Sequence, residues 1–565
     1  MGIFSKVFIA LSLFSATSVL AIRSDDPDRN VLEGKSVDNL QKQNVSIRTA
    51  HLNDFRDQRI DGFSKQPQLG FNFTKSILDR VNPKLKSFDS EMKIESIQKD
   101  KYGITHIRMQ QYHKNIVVSG GQIIVHMDKD HAIVGVTGKW APAMSINATP
   151  SLSPTKAKAA ITLDAGFFFK QEPTLIYFDN RLAYEYIIEG KKSGPVKDRY
   201  IVDAQSGEVL LKASLIKHAG PGNDGSHVQL NGESLKGEGS NTVTIMGWNN
   251  TNGNYFMYNK DSVWGVFNIK SSVNDWEQRT TDSWGNSDPA AVSLGHNLQV
   301  IQSCVMNDLG RKSFDDNNGF MKASVHEGTN YVNAYWDGES MYFGDGDGVS
   351  ANALTVLDIV AHEYGHAVTQ YSSNLDYLYE SGALNESFSD ISGTIVEFLS
   401  QPDGKNSYPK GTPGHGDWLC GEDAWLESDA LRDLQNPNRF GQPSYYLGTN
   451  WYAGSGDNGG VHINSGVQNF AFYLLTEGGS GTNDGHPYNI TGLGLNQASE
   501  IAMYANIYLL TSASQYRDSR DAWMFAATIL GYDTATVSAV WTAVGLPPLE
   551  KHLAVTPAEI NFGKI

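Results

Sequence analysis

The sequence predicts an α+β protein: a β-rich first lobe, a mainly α-helical second lobe with a cleft between them, and a further α+β segment ahead of both. Three observations carry this. The 565 residues are too many for one ordinary domain and enough for two or three. Text rich in Thr, Asn, Gly, Tyr and Trp, as expected of antiparallel sheet, runs to about Val300, and periodic helical text follows Thr355. A run of turn residues, His218-Ala219-Gly220-Pro221-Gly222-Asn223-Asp224-Gly225, separates this region from the strand-rich segment before it. Apolar residues make up 40% of the chain, enough for a large core, so global disorder is excluded. The formal net charge of −17 argues against binding nucleic-acid phosphates and supplies carboxylates for hard cations.

The chain opens with one positive charge in Met1–Lys6, then an uncharged, mainly apolar run that ends in Val19-Leu20-Ala21. That is the pattern of a signal peptide cut after Ala21, and it implies export to an extracellular location. The alternative, a membrane anchor, needs roughly 20 apolar residues, more than this run offers. Residues 22 to about 100 are charged and polar, with amphipathic patches such as Lys75–Val81. Ile104–Met109 and Gly121–Met127 read as strands, and Tyr200–Leu210 as strand, turn, strand. The run at His218–Gly225 is the best linker, and exposed small-residue segments are where nicking concentrates. The expected division is 1–21, 22–218, a β-rich lobe 219–365, a helical lobe 366–548, and a tail 549–565 of unassigned role. Two cysteines, Cys304 and Cys420, leave their pairing open.

The chemistry centres on His362-Glu363-Tyr364-Gly365-His366. Histidines at i and i+4 of a helix lie one turn apart on one face, so both imidazoles reach a single ion. Leu354, Leu357 and Ala361 recur ahead of them at helical spacing. Glu363 is set to act on a water at the metal rather than to bind it. The alternative is an ordinary helix whose histidines are satisfied in a core. A catalytic zinc needs a third protein ligand and an open position. Glu386, in Asn385-Glu386-Ser387-Phe388-Ser389-Asp390, begins a second helical stretch that a turn can fold back against the first. Asp390, one turn further, is placed to accept the free N–H of His362 and fix its tautomer.

With these blocks in order, the chain resembles the thermolysin family of secreted zinc metallopeptidases, over about residues 220–548. Asn333-Ala334-Tyr335-Trp336 is similar to that family's substrate-holding edge strand, and Met341–Gly348 to the loop before its zinc helix. Asp457–Gly466 resembles the block carrying a catalytic histidine, here His462, which Asp457 could hold. Ala430-Leu431-Arg432 is similar to the segment whose arginine binds a substrate carbonyl. The resemblance implies a zinc endopeptidase in which a zinc-activated water, with Glu363 as general base, attacks the peptide. Tyr377 and His462 would stabilise the oxyanion, and an apolar residue is preferred just after the cut, beside Ile359 and Leu431. Cys420, at a position usually aliphatic in the family, and Ala424 depart from its pattern in that pocket. One zinc and one or two structural calcium ions are implied, the latter held by Asp358, Glu397, Asp417 and Glu422. Acidic residues within apolar helices would repel one another without such a cation.

Residues 50 to about 212 resemble the family's paired propeptide modules. They imply a zymogen whose own propeptide folds and inhibits it until a cut near His218–Gly225. The implied partners are protein or peptide substrates and that propeptide, with no nucleic acid, no membrane span in the mature form, and a monomeric state. An aminopeptidase would need a site for the substrate's free amine, and the chain has no Gly-x-Met-Glu-Asn stretch of that kind. A silent binding protein on the same scaffold is the alternative from another class; an intact Glu363 and His462 count against it.

Overall fold

The computed structural model describes residues 45–46 and, apart from short internal gaps, 90–548. The expected signal peptide, the Lys75–Val81 patch, residues 218–224 of the cut segment and the 549–565 tail lie outside the described residues.

The first described unit is built from two antiparallel meanders. Strands β1 (Ser90–Lys99), β2 (Thr105–His113), β3 (Ile116–Met127) and β4 (Ile133–Trp140) form one. Strands β5 (Thr174–Phe178), β6 (Arg181–Lys191), β7 (Pro195–Asp203) and β8 (Val209–Ser214) form the other. A parallel pairing of β3 with β5, Val117 opposite Ile176, fuses them into one sheet. Helix α1 (Pro154–Lys158) sits between them, capped by Ser153. Alternating apolar residues drive this: Ile107, Met109, Ile123 and Val125 are buried, as period-two patterning requires.

In the β-rich lobe, β9 (Gly225–Glu233) and β10 (Thr242–Asn250) pair antiparallel along their full length. A second sheet includes β11 (Trp264–Asn268), β12 (Met321–Glu327), β13 (Ala334–Trp336) and β14 (Ser340–Gly344). Here the expectation of antiparallel sheet holds only in part: β11–β12 and β12–β14 pair parallel, whereas β13–β14 and the short strands Tyr258–Asn259 and Asp275–Trp276 beside β11 run antiparallel. The reason is a crossover that the strand-like text concealed. Helix α2 (Pro289–Cys304) lies inside the region read as sheet, begun by Asp288, whose side chain accepts the Ala291 N–H. It is buried over most of its surface, so it carries no polar stripe to reveal a helical period. Strand β13 ends the sheet and leaves one edge unpaired among the described strands.

The second lobe is mainly helical from Leu357 onward, with two small two-stranded sheets among its described residues. Helices α3 (Leu357–Gln370) and α4 (Tyr379–Ser400) cross closely. A Cβ on Gly365 would come 2.7 Å from the Ser389 Cα, and one on Gly393 would come 2.8 Å from the Asp358 carbonyl oxygen. No other residue fits at either point without moving backbone. Helices α5 (Asp457–Asn464), α6 (Gly466–Glu477), α7 (Leu495–Tyr504), α8 (Tyr516–Leu530) and α9 (Thr534–Ala543) complete the lobe. One contiguous apolar core runs from Leu230 and Trp264 through Val360 and Phe388 to Trp523 and Trp541. Helix α3 is therefore packed from both sides and stands as a rigid wall between the lobes. No described helix is long and apolar enough to cross a membrane.

Candidate metal centre and active site

Helix α3 presents its two histidines to the cleft because its opposite face, with Val360, Ala361, Tyr364, Ala367 and Val368, is sunk in the core. The Nε2 atoms of His362 and His366 lie 3.1 Å apart. Glu386 comes across from α4, with carboxylate oxygens 3.5 Å from His362 Nε2 and 3.3 Å from His366 Nε2. One ligand atom from each of the three lies within 4.8 Å of the others.

Each ligand is held from behind. Asp390 Oδ1 is 2.8 Å from His362 Nδ1, and Asn385 Oδ1 is 2.8 Å from His366 Nδ1. Both contacts leave the Nε2 lone pairs free to face an ion. Asp390 is itself saturated: Arg432 donates through Nε at 2.8 Å and Nη2 at 2.6 Å, and Asn469 through Nδ2 at 2.8 Å. Although burial pushes Asp390 up, the Arg432 guanidinium and His362 hold it well below the usual carboxylate range. Sequence reasoning missed Asn385, Asn469 and the Asp390–Arg432 fork. Arg432, expected to meet a substrate carbonyl, spends two of its nitrogens on Asp390.

The trio fits a cation on its own chemistry. Glu386 Oε2 is buried without a hydrogen-bond partner. Burial alone would lower His362, yet Asp390 and Glu386 override it and hold the ring up at about 10. A positive charge is thus demanded where the three side chains converge. A second group, His362 with Asp390 and Cys420, is also compact, but its Asp390 oxygens are already taken by Arg432 and Asn469.

Glu363 is 5% exposed, and burial raises its carboxyl above the ordinary value. Its Oε2 has no hydrogen-bond partner. Opposite it, Tyr377 and His462 approach one another, with the phenol oxygen 3.1 Å from His462 Nε2. The Tyr377 hydroxyl also donates to Glu386 Oε1. His462 is oriented by Asp457, whose Oδ1 lies 2.6 Å from Nδ1 and whose Oδ2 accepts the His462 backbone N–H at 2.9 Å. The negative charge of Glu386 raises the His462 pKa; burial opposes this and the Asp457 hydrogen bond adds to it. This clasp needs a tight left-handed turn. Asp457, Asn458, Gly459 and Gly460 all have positive φ, and a Cβ on Gly459 would come 2.4 Å from the Tyr379 ring.

The substrate-side residues also gather. Ala334 opens edge strand β13 with Asn333 beside it, and the Trp336 backbone hydrogen-bonds Glu363. Ile359 and Leu431 meet around Gly421, whose added Cβ would lie 3.7 Å from Ile359 Cδ1 and 3.3 Å from Leu431 Cβ. Cys420 and Ala424 are buried next to them, and Cys304 is not joined to Cys420. Behind α3, Asp358, Glu397, Asp417, Glu422 and Asp423 are all buried. Both Glu422 carboxylate oxygens and Glu397 Oε2 lack hydrogen-bond partners. Burial and mutual repulsion push Glu397 and Glu422 well above the usual range. Asp358 is better served, accepting the Gly421 and Ile359 N–H groups. Such a set fits a hard cation, although its oxygens are not drawn as close together as the histidine trio.

Family models match most of the chain. Residues 231–370 match the thermolysin metallopeptidase catalytic domain, residues 373–546 its α-helical domain, and residues 90–139 a fungalysin/thermolysin propeptide motif. Thermolysin of Alicyclobacillus acidocaldarius subsp. acidocaldarius is 32% identical over 484 residues, 80% of this chain and 85% of its own. Bacillolysin of Brevibacillus brevis is 33% identical over 78% of this chain and 82% of its own. Neutral protease B of Bacillus subtilis is 30% identical over 83% and 88%. The chain belongs to the thermolysin family of metallopeptidases.

Proposed function

We propose that the chain is a secreted zymogen of a zinc endopeptidase, with the metal on His362, His366 and Glu386. The observation that carries this reading is the convergence of His362, His366 and Glu386, two of them buried and one half-buried, with ligand atoms within 4.8 Å of one another. Zn2+ there would supply a Lewis acid that acidifies a water and polarises the scissile carbonyl. Glu363, desolvated and unsatisfied at Oε2, takes the proton of the attacking water and delivers it to the leaving amine. Tyr377 and His462 donate to the developing oxyanion, with Asp457 fixing the His462 tautomer. The open edge of β13, with Asn333 and Ala334, holds the peptide as an added strand. Arg432 positions His362 through Asp390 and offers Nη1 to a substrate carbonyl. Ile359 and Leu431 form the wall that favours an apolar residue after the cut.

Asp358, Glu397, Asp417 and Glu422 take one or two Ca2+ ions, which supply the charge that the unpartnered oxygens of Glu397 and Glu422 lack. Residues 22–218 act as folding aid and inhibitor, removed by a cut near His218–Gly225. Residues 219–365 and 366–548 are the two lobes of the enzyme.

Replacing Glu363 with Gln tests the reading. Casein hydrolysis should fall about 10²–10⁴-fold, the range for a lost general base, with zinc content per chain unchanged. Equal hydrolysis by the two proteins would remove Glu363 from the mechanism and favour a silent scaffold.

A further inference from the structure

A second buried cluster of titratable groups joins the β1–β4 meander to the helical lobe. His106 on β2 and His126 on β3 are register partners, 3% and 0% exposed, with Nδ1 atoms 2.8 Å apart. Asp100, in the turn after β1, lies 3.2 Å from His106 Nε2 and receives the Tyr504 hydroxyl of α7 at 2.5 Å. His106 stacks on Tyr508 with ring centroids 4.5 Å apart, and His126 meets Phe525 of α8 edge-on at 5.5 Å. Arg108 reaches the Leu510 carbonyl at 3.4 Å, and Lys101 pairs with Glu500. Gly135 lies so near the Phe525 ring that a Cβ would come within 2.4 Å.

The hydrogen bonds in the cluster form one directed chain with no spare proton. The Asp100 carboxylate can only accept, so His106 carries its proton on Nε2; its Nδ1 then accepts from His126 Nδ1–H, and His126 Nε2 accepts from the Thr137 hydroxyl at 2.9 Å. His106 Nε2–H then donates to Asp100, which also accepts Tyr504 and the backbone N–H groups of Tyr102 and Ile104. Every site is used, and the net charge is that of Asp100. A proton added to either ring breaks the chain's direction or forces Thr137 to turn. It also places a cation in a dry pocket near Arg108.

We propose that this contact is a proton-sensitive clasp that holds the β1–β4 meander on the helical lobe near neutral pH and releases it in mild acid. The proposal rests on the reading of this segment as an inhibitory propeptide, and release relieves the inhibition. Undocked, both rings meet water and titrate near the ordinary value of about 6.5. Docked, burial lowers both; Asp100 works against this at His106 without reversing it, Arg108 adds to it, and at His126 both His106 and Arg108 add to it. Docking is therefore at full strength above about pH 6.5 and weakens as pH falls, by up to about tenfold per pH unit for each histidine.

The other groups facing the pair are constant across this range. Asp100 is pushed up by burial, but its bonds to His106 and Tyr504 hold it below its ordinary value, so it stays charged. Glu500 is held low against burial by Tyr532 and Lys101. Burial keeps Tyr102, Tyr504, Tyr508 and Tyr532 neutral, Tyr532 mainly through its bond to Glu500. Glu95 near Arg108, and Arg311 and Asp316 near Tyr508, complete the charged surroundings.

The test is hydrogen exchange on the full-length chain carrying Glu363→Gln to prevent self-digestion. Peptides covering 105–127 and 500–530 should open at least about tenfold more at pH 5 than at pH 8, after correction for intrinsic rates. Those of α3 and α4 should stay protected. His106→Asn with His126→Asn should remove the pH dependence. Arg108→Gln, which spares the histidines if the double variant does not fold, should shift opening to lower pH. Unchanged protection between pH 8 and pH 5, or an unshifted midpoint in Arg108→Gln, overturns the clasp. Casein hydrolysis by the wild-type precursor after a pH 5 pulse tests inhibition separately. A precursor already fully active before the pulse refutes the inhibitory reading and leaves the exchange result to decide the clasp.

Discussion

His326 shows how a single residue can matter without touching the metal. It adopts positive φ inside β12, where the pairing with β14 shifts register, with Nδ1 2.6 Å from Asp345 and Nε2 3.0 Å from Asp288, the cap of α2. Burial would lower its pKa, but the two carboxylates raise it to about 9. A pKa raised on folding gives stability that is full below the unfolded value, about 6.5, and lost as pH rises through 9. Thermal unfolding of wild type against His326→Asn should show an advantage of about 3 kcal/mol at most near pH 6, vanishing above pH 9. A difference constant from pH 6 to 10 would mean that the ring is held by packing rather than charge. No sequence pattern announced this bridge, because its three members are 38 and 19 positions apart and an irregularity within β12, with positive φ at His326, brings them together. His362, His366 and Glu363 were legible for the opposite reason: their spacing is fixed by one helix. Asn385 was not. It precedes a ligand in sequence, and only the crossing of two helices carries it to His366.

At the scale of elements, the site is the product of one helix crossing. Both histidines ride on α3 and Glu386 on α4, so the distance between ligands is the distance between helices. That distance is set where Gly365 faces Ser389 and Gly393 faces Asp358. Gly393→Ala should cost about 1–3 kcal/mol in unfolding free energy, as overpacking does. It should also weaken zinc binding, measured by competition with a chelator, although residue 393 touches no ligand. Loss of stability with unchanged zinc affinity would separate the crossing from the site. The helical lobe could be read in advance because its amphipathic periods are long. The sheet topology could not: α2 is buried over most of its surface, and its text does not differ from that of the strands it connects. Edge strand β13 was found through its family block, since three residues carry no period of their own.

At the scale of the molecule, the precursor is two units held together by contacts far from the metal in sequence. The strand-rich text of Ile104–Met127 and Tyr200–Leu210 gave the meanders but not where they dock. Docking depends on Tyr504, Tyr508 and Phe525, aromatic residues that in sequence are indistinguishable from core. One core links the β-rich and helical lobes, so α3, α4 and the residues they carry into the cleft are held by a common scaffold. The central claim is that His362, His366 and Glu386 bind one zinc beside Glu363. It is tested most directly by an anomalous difference map from crystals of the protein, recorded on both sides of the zinc edge. A single edge-dependent peak should lie within bonding distance of the two Nε2 atoms and Glu386. A peak seated on Asp390 and Cys420, or none between the two helices, would contradict it.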